Sequence, residues 1–260
     1  MMTSLKELAI DSTEATILTP AVCAVPVQTP NFYCVRSLSE AYSDGVSKQD
    51  TGTLNNVLST NSSAKVTAVH RNGGHSCAET FCNAAIGMLG AYAKTVTNDT
   101  YYSELVAIAF SSAYFHDTIA VRSHNLAIGS PVTLIFSQVV AGAFEMGEGE
   151  SQGTVQSTFR IDNELLYYAS NIDSQSDTTQ TSDSQILVVN TTVGSTINIC
   201  GRLDAIVQVH NGGSIVADYS NTTTFYADSQ TPEVILVSAS SHDYSSMMPE
   251  CDRLSRSWRA

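Results

Sequence analysis

Two stretches of this chain, Ala107 to Val140 and Thr192 to Ser240, read as β-structure and little else. In the second, Leu203, Ala205, Val207 and Val209 alternate with Asp204, Ile206, Gln208 and His210. Successive side chains of a β-strand point to opposite faces of the sheet, so such a run buries one face and presents the other. Asn211-Gly212-Gly213 then reverses the chain, and Ile215, Ala217 and Tyr219 resume the alternation. That combination predicts a hairpin lying over a core. The class it implies is all-β, with antiparallel sheets packed face to face, and it names no chemistry.

Turn residues divide the rest of the chain in the same way. Strands are expected over 64–70, 104–110, 113–121, 132–140, 155–161, 165–169, 185–189, 196–200, 222–227 and 233–239. Roughly ten to twelve short strands with regular turn signals read as a β-sandwich or a jelly roll. Cys77 to Thr95 carries two readings. Phe81, Ala85, Met88, Leu89 and Tyr92 recur at helical spacing, which suits one short helix, whereas Gly87 and Gly90 suit a strand of small residues. Asp50-Thr51-Gly52 reads as a turn, and Asn171 to Ser184, rich in Ser, Thr and Asp, as a solvated loop.

Three regions follow. Pro20, Pro26 and Pro30 make residues 1–30 an extended arm, residues 31–246 the sandwich, and residues 247–260 an irregular tail. Hydrophobic content of 43% is enough for a sizeable core, while charged residues reach only 14%. Ser, Thr and Asn fill the polar positions, a composition commoner in exported β-proteins than in cytosolic ones. A net charge of −13 opposes binding to a phosphate backbone, so no nucleic-acid partner is expected. No apolar run reaches the length of a membrane-spanning helix, and the first residues lack the pattern of an export signal, which leaves a cytoplasmic location open. Among the six cysteines, Cys23 with Cys34 and Cys77 with Cys82 are the locally plausible pairs, with buried free thiols the alternative.

Candidate sites are few. His75-Ser76-Cys77 with Cys82, and His70 nearby, approach a zinc set but lack a second ligand pair, so structural cysteines are the expectation. His116-Asp117 and His242-Asp243 are adjacent residues, and neighbours on a strand point to opposite faces, so neither pair forms a triad. No Gly-x-Ser-x-Gly elbow accompanies them, and no catalytic residue is expected. Glu145, Glu148 and Glu150 form an acidic turn able to offer oxygens to calcium, with Asp173, Asp177 and Asp183 a weaker second set. Tyr101, Tyr102, Tyr167, Tyr168, Tyr219 and Tyr226 are candidates for a sugar-stacking platform, although tyrosine is common in strands for packing alone.

Several strand-and-turn segments carry a family resemblance. They are Leu89-Gly90-Ala91-Tyr92-Ala93 with Ser112 to Val121, Ile128 to Phe136, and Ala217 to Tyr226 leading to Val237 to Ser245. In this order, over roughly residues 85–245, the chain resembles bacterial exported proteins of the PEP-CTERM group. The resemblance implies a β-rich surface or matrix protein, sorted at the membrane and associated with exopolysaccharide or other matrix proteins, with no active site to carry over. The chain departs from that pattern after Ser246, where Met248-Pro249-Glu250 stands without the apolar helix of the sorting signal. Three functions are therefore expected in order: a non-enzymatic structural or adhesive sandwich outside the cell, a calcium-assisted carbohydrate-binding module, and a hydrolase on a jelly-roll scaffold.

Overall fold

The computed structural model describes residues 33–43, 46–69, 74–98, 106–173, 179–210 and 212–245, and these hold thirteen strands and no helix. β1 (Cys34–Ser43) and β2 (Val46–Asn55) form a hairpin, and β3 (Ser59–Val69), β4 (His75–Ala85) and β5 (Met88–Thr97) a meander. β6 (Val106–Ser123), β7 (Pro131–Met146), β8 (Glu150–Ile161) and β9 (Glu164–Ile172) follow. β10 (Thr179–Thr192), β11 (Thr196–His210), β12 (Ser214–Ser229) and β13 (Val234–Ser238) complete the described chain.

One sheet has the order β2-β1-β6-β11-β8-β9, with β13 added along β6 beyond the start of β1. The other has the order β10-β7-β12-β5-β4-β3. All pairings are antiparallel. From β5 onward the chain passes back and forth between the sheets except at the β8–β9 hairpin, so β5-β12-β7-β10 and β6-β11-β8-β9 interleave as the two halves of a jelly roll. The strands β1 to β4 widen both sheets on one side. The all-β sandwich expected from the alternation is the observed fold.

The hairpin expected at Asn211-Gly212-Gly213 is not formed. β11 pairs with β6 and β8 in one sheet, while β12 pairs with β5 and β7 in the other, so this connection crosses the sandwich. Period-two burial is the same whether two strands lie side by side or face each other, so alternation cannot separate the cases. The glycines serve close approach: Gly212 N and Gly213 N both donate to Thr97 Oγ1 (2.9 and 3.1 Å), and a Cβ on Gly213 would lie 2.8 Å from Glu148 O.

The helical reading of 77–95 is also corrected. The segment is the β4–β5 hairpin, turning at Gly87 with a positive φ of 76°. Ala78, Cys82, Ala84, Leu89, Ala91 and Ala93 point inward at alternate positions, and Phe81 and Met88, which suggested a helix, lie on the outer face. Asp50-Thr51-Gly52 sits inside β2, 113–121 continues the strand begun at Val106, and residues 179–184 of the expected loop belong to β10. The whole of the extended arm, the tail of residues 247–260, His70, Tyr101, Tyr102, Asp177 and Asn211 fall outside the described residues.

The interior has two zones. Under β7, β8, β11 and β12 it is aromatic: Phe225 packs against Phe159 at 4.9 Å and Phe115 at 5.1 Å between ring centroids, and Phe136 meets Phe159 at 6.1 Å. Each such pair contributes about 0.5–1.5 kcal/mol beyond simple burial. Gly201 lets Phe115 lie against the sheet, since a Cβ there would come within 2.3 Å of the ring. Under β1, β3, β4 and β6 the inward residues are small: Ser37, Ser39, Ala41, Ser62, Ala64, Ala78, Cys82, Ala107, Ala109, Ser111 and Ala113. With so little side-chain volume between them the sheets touch. Ser111 Oγ on β6 donates to Phe81 O on β4 at 2.9 Å, Ser39 Oγ on β1 donates to Ser62 O on β3 at 3.1 Å, and Ser43 Oγ meets Ser76 Oγ at 2.6 Å. In the first half of β6 the larger residues, Ile108, Phe110 and Tyr114, consequently sit on its outer face.

Two substitutions separate these faces. Ala109→Leu should overpack the small-residue zone and destabilise the protein by about 1–3 kcal/mol, whereas Phe110→Tyr next to it, whose added hydroxyl faces the solvent side, should stay within about 0.5 kcal/mol of the parent. Urea denaturation of both variants reads the difference; equal losses would contradict the assignment of faces.

Candidate functional site

β1 ends its pairing with β6 at His116, and β13 begins at Ile119, which leaves a gap in the strand beside β6 at Asp117. The chain leaving β13 turns inward through this gap as a strap, Ser238 to Ser245. Ala239 N donates to Thr118 O in one sheet (2.8 Å), and Ala227 N in the other sheet donates to Tyr244 O (3.3 Å), so the strap ties the two layers. Asp117 is its anchor. The carboxylate is fully buried and accepts from Ser240 Oγ (2.5 Å), Tyr244 OH (3.0 Å), Thr118 N (2.7 Å) and Ser240 N (3.3 Å). A buried charge is tolerated when hydrogen bonds replace its water, and four donors do so here. Burial, and then the neighbouring Asp117 charge, hold the Tyr244 phenol well above its usual range, so it remains a donor.

His242 lies on the strap with its ring edge-on to Tyr244, 4.5 Å between centroids, and against Gly87, where a Cβ would sit 2.3 Å from Nε2. It borders an open groove of about 510 Å³ walled by Leu58, Ile86, Met88, Phe225 and Tyr226. A smaller hollow of about 240 Å³ lies on the other side of the strap. Burial keeps the imidazoles of His242 and His116 below their ordinary range, against the opposing pull of Asp117. Ser240 donates its hydroxyl proton directly to Asp117 without an imidazole between them, which is a fastening geometry rather than that of an activated nucleophile.

The residues singled out from sequence are distributed as follows. His116 and Asp117 do point to opposite faces: Asp117 faces the interior, and His116 faces outward between Cys34 and Cys200 on the neighbouring strands. Cys77 and Cys82 are free thiols on opposite faces of β4, so the expected local pair does not form; Cys82 is buried beside Ser39 and Ser62. His75 is joined to Asn98 through Nδ1 (2.6 Å) and stands apart from Cys82. Glu145 is exposed on β7 in the six-stranded sheet, Glu148 lies in the turn, and Glu150 opens β8 in the seven-stranded sheet. Among the described residues no group of three or more His, Cys, Asp or Glu side chains is gathered to hold a metal ion. Asp183 accepts from Gln185 Nε2 at 3.0 Å. Tyr168, Tyr219 and Tyr226 are buried, which leaves Tyr167 as the exposed member of the tyrosine set among the described residues.

The surface that sequence reasoning missed is the outer face of the seven-stranded sheet. Register places Arg36, Tyr114, Arg202, Thr158 and Tyr167 in one row across β1, β6, β11, β8 and β9. The next rows bring Leu38, Ser112, Asp204 and Gln156 together, then Glu40, Phe110, Ile206 and Thr154, then Tyr42, Ile108, Gln208 and Gln152. With strands about 4.8 Å apart, Arg36, Tyr114 and Arg202 form a strip roughly 10 Å wide. These side chains are half-buried, and neighbours hold the polar ones. Arg202 Nε contacts Asp204 Oδ2 at 2.8 Å, and Gln49 Nε2 donates to Glu40. Burial raises the Asp204 carboxyl, opposed by the charge of Arg202 and by hydrogen bonds from Ser112 and Arg202. Arg36 Nε is covered and has no hydrogen-bond partner among the described residues. The sequence signal was present in β6, where Ala107, Ala109, Ser111 and Ala113 alternate with Ile108, Phe110, Ser112 and Tyr114.

No family model matches the chain, and no curated protein or solved structure shows a significant match to it.

Two outcomes follow for the strap. Asp117→Asn leaves an amide NH₂ facing the Ser240 and Tyr244 hydroxyls, and should cost about 2–3 kcal/mol in chemical denaturation; an unchanged midpoint would show that the carboxylate anchors nothing. Because both histidines have folded-state pKa values below their unfolded value of about 6.5, the unfolded state takes up protons first as pH falls. Their contribution, complete above that value, is lost on acidification. The Tm should therefore drop between about pH 7 and pH 5, and the His116→Gln/His242→Gln double variant should flatten the profile.

Proposed function

We propose that this chain is a non-enzymatic surface or matrix protein that adheres to polysaccharide through the outer face of its seven-stranded sheet. The observation that carries the reading is the Arg36–Tyr114–Arg202 strip with the acceptors and rings beside it. Sugars offer two kinds of surface, apolar ring faces and paired hydroxyls. Half-buried Tyr42, Phe110 and Tyr114 provide rings for stacking, and Arg36, Arg202, Asp204, Gln156 and Gln208 provide planar groups that bond adjacent hydroxyls. The rows continue across several strands, so the surface suits an extended chain rather than a single sugar.

Other properties support the same reading. The side chains are held by neighbours and lose little freedom on binding. The Ser/Thr-rich composition and the resemblance to exported PEP-CTERM proteins agree with a location outside the cell and with exopolysaccharide as ligand. Ser240 is committed to Asp117, which favours a binding protein over a hydrolase. Jelly rolls serve both lectins and protein shells, an analogy of fold only.

Affinity electrophoresis through gels containing purified polysaccharides tests the proposal. At least one polysaccharide should retard the parent protein, and Tyr114→Ala and Arg202→Ala should each weaken that binding roughly tenfold. Phe81→Ala, on the outer face of the other sheet, should leave it unchanged. Retardation by none, or equal effects of all three variants, would overturn the assignment.

A further inference from the structure

We infer that the protein forms a closed dimer with a second copy of itself by antiparallel pairing of β10. This strand ends the six-stranded sheet, and its far edge pairs with no strand among the described residues. It is 14 residues long and pairs with β7 over its whole length without a register shift. Exposed edges are normally protected by lysine, proline, a bulge or brevity, because their unpaired N–H and C=O groups template another strand. β10 has none of these. The other edges do: β2 carries Lys48, and its Asp50 accepts from Ser63 N on β3 (2.9 Å), β3 carries Lys65, β13 is 5 residues long, and Tyr167 O on β9 accepts from Gln185 Nε2 (2.7 Å).

Charge selects the occupant. A chain of net charge −13 can meet its own copy only where carboxylates do not face one another. The outward side chains of β10, from Gln180 through Ser182, Ser184, Ile186, Val188 and Asn190, carry no charge, and the strand's one acid, Asp183, is engaged by Gln185. Ile186 and Val188 are 49% and 53% exposed on the same face as Ile135 and Val139 of β7, so pairing extends an apolar band across the junction. A dyad at Ile186 sets Ser184 opposite the second copy's Val188 and Asp183 opposite the second copy's Val189, which keeps the two acids apart and every outward residue on one face. The pairing is isologous and uses up the edge, so assembly stops at two.

The dyad of an antiparallel pair stands perpendicular to the sheet. Both seven-stranded sheets therefore lie on the same side of the joined twelve-stranded layer, and both outer faces point the same way. Two adhesive faces so arranged would engage one surface together. The dimer itself does not depend on what those faces bind.

Sedimentation velocity of the full chain across a concentration series, without sugar, is the test. A concentration-dependent dimer is expected. Ser184→Lys, at an exposed polar position where no packing is lost, and Val188→Lys should each raise the dimer dissociation constant at least tenfold, with an unchanged Tm and circular dichroism spectrum. A monomer at all concentrations, a dimer indifferent to Ser184→Lys, or filaments in place of a dimer would each overturn the inference.

Discussion

The two sheets meet through serine hydroxyls that reach the backbone of the opposite layer, and much of the molecule follows from that contact. Ser111 on β6 bonds the carbonyl of Phe81, and Ser39 on β1 bonds that of Ser62. Such bonds are possible only where alanine, serine and cysteine leave the layers close. A single neutral hydrogen bond is worth about 1 kcal/mol net, so the stitches do not hold the sandwich together by strength. They fix spacing. Where the layers touch, a large side chain has no room inside, and Ile108, Phe110 and Tyr114 are turned to the outer face. The half-buried platform on the seven-stranded sheet is thus the complement of a small-residue interior. On the other side, the buried rings of Phe115, Phe136, Phe159 and Phe225 prop the layers apart.

Closure of the end beside Asp117 depends on a different device. The gap between β1 and β13 would expose the edge of β6 to water, and the strap fills it by turning Ser240 and Tyr244 onto a buried carboxylate. Asp117 therefore fastens β6 to the strap at the end of the described chain. The neutral histidines beside it make the closure sensitive to acid.

The layer architecture was legible because the alternation from Leu203 to Tyr219 is a direct consequence of strand geometry. Which strands pair was not. Leu203 to Val209 and Ile215 to Tyr219 read as partners because both bury alternate residues, yet they face each other across the core. Alternation reports only which side is buried. The helix suggested at 77–95 came from Phe81, Met88 and Tyr92, whose spacing fits a helical stripe; the decisive residues were the alanines between them, which a hydrophobicity pattern weights lightly. β10 was hidden for a related reason. Thr179 to Asp183 has no apolar residue, and its place in the sheet comes from pairing with β7 rather than from burial of its own side chains. Of the site, the opposed directions of His116 and Asp117 were readable from adjacency alone. Of the rings offered for a platform, Tyr168 and Tyr219 proved to be core, and Tyr226 is covered at the wall of the groove beside the strap. Tyr42 and Tyr114 were overlooked because on β1 and on the first half of β6 the small residues, not the large ones, mark the inside.

The joint claim about interior spacing and outer platform is tested most directly by hydroxyl-radical footprinting with and without a polysaccharide that the protein binds. Tyr42, Phe110 and Tyr114 should be oxidised in the free protein and shielded in the complex, while Tyr219 and Tyr244 remain unmodified in both. Oxidation of Tyr219 at a rate similar to Tyr114, or no shielding of the β6 rings at saturating polysaccharide, would contradict it.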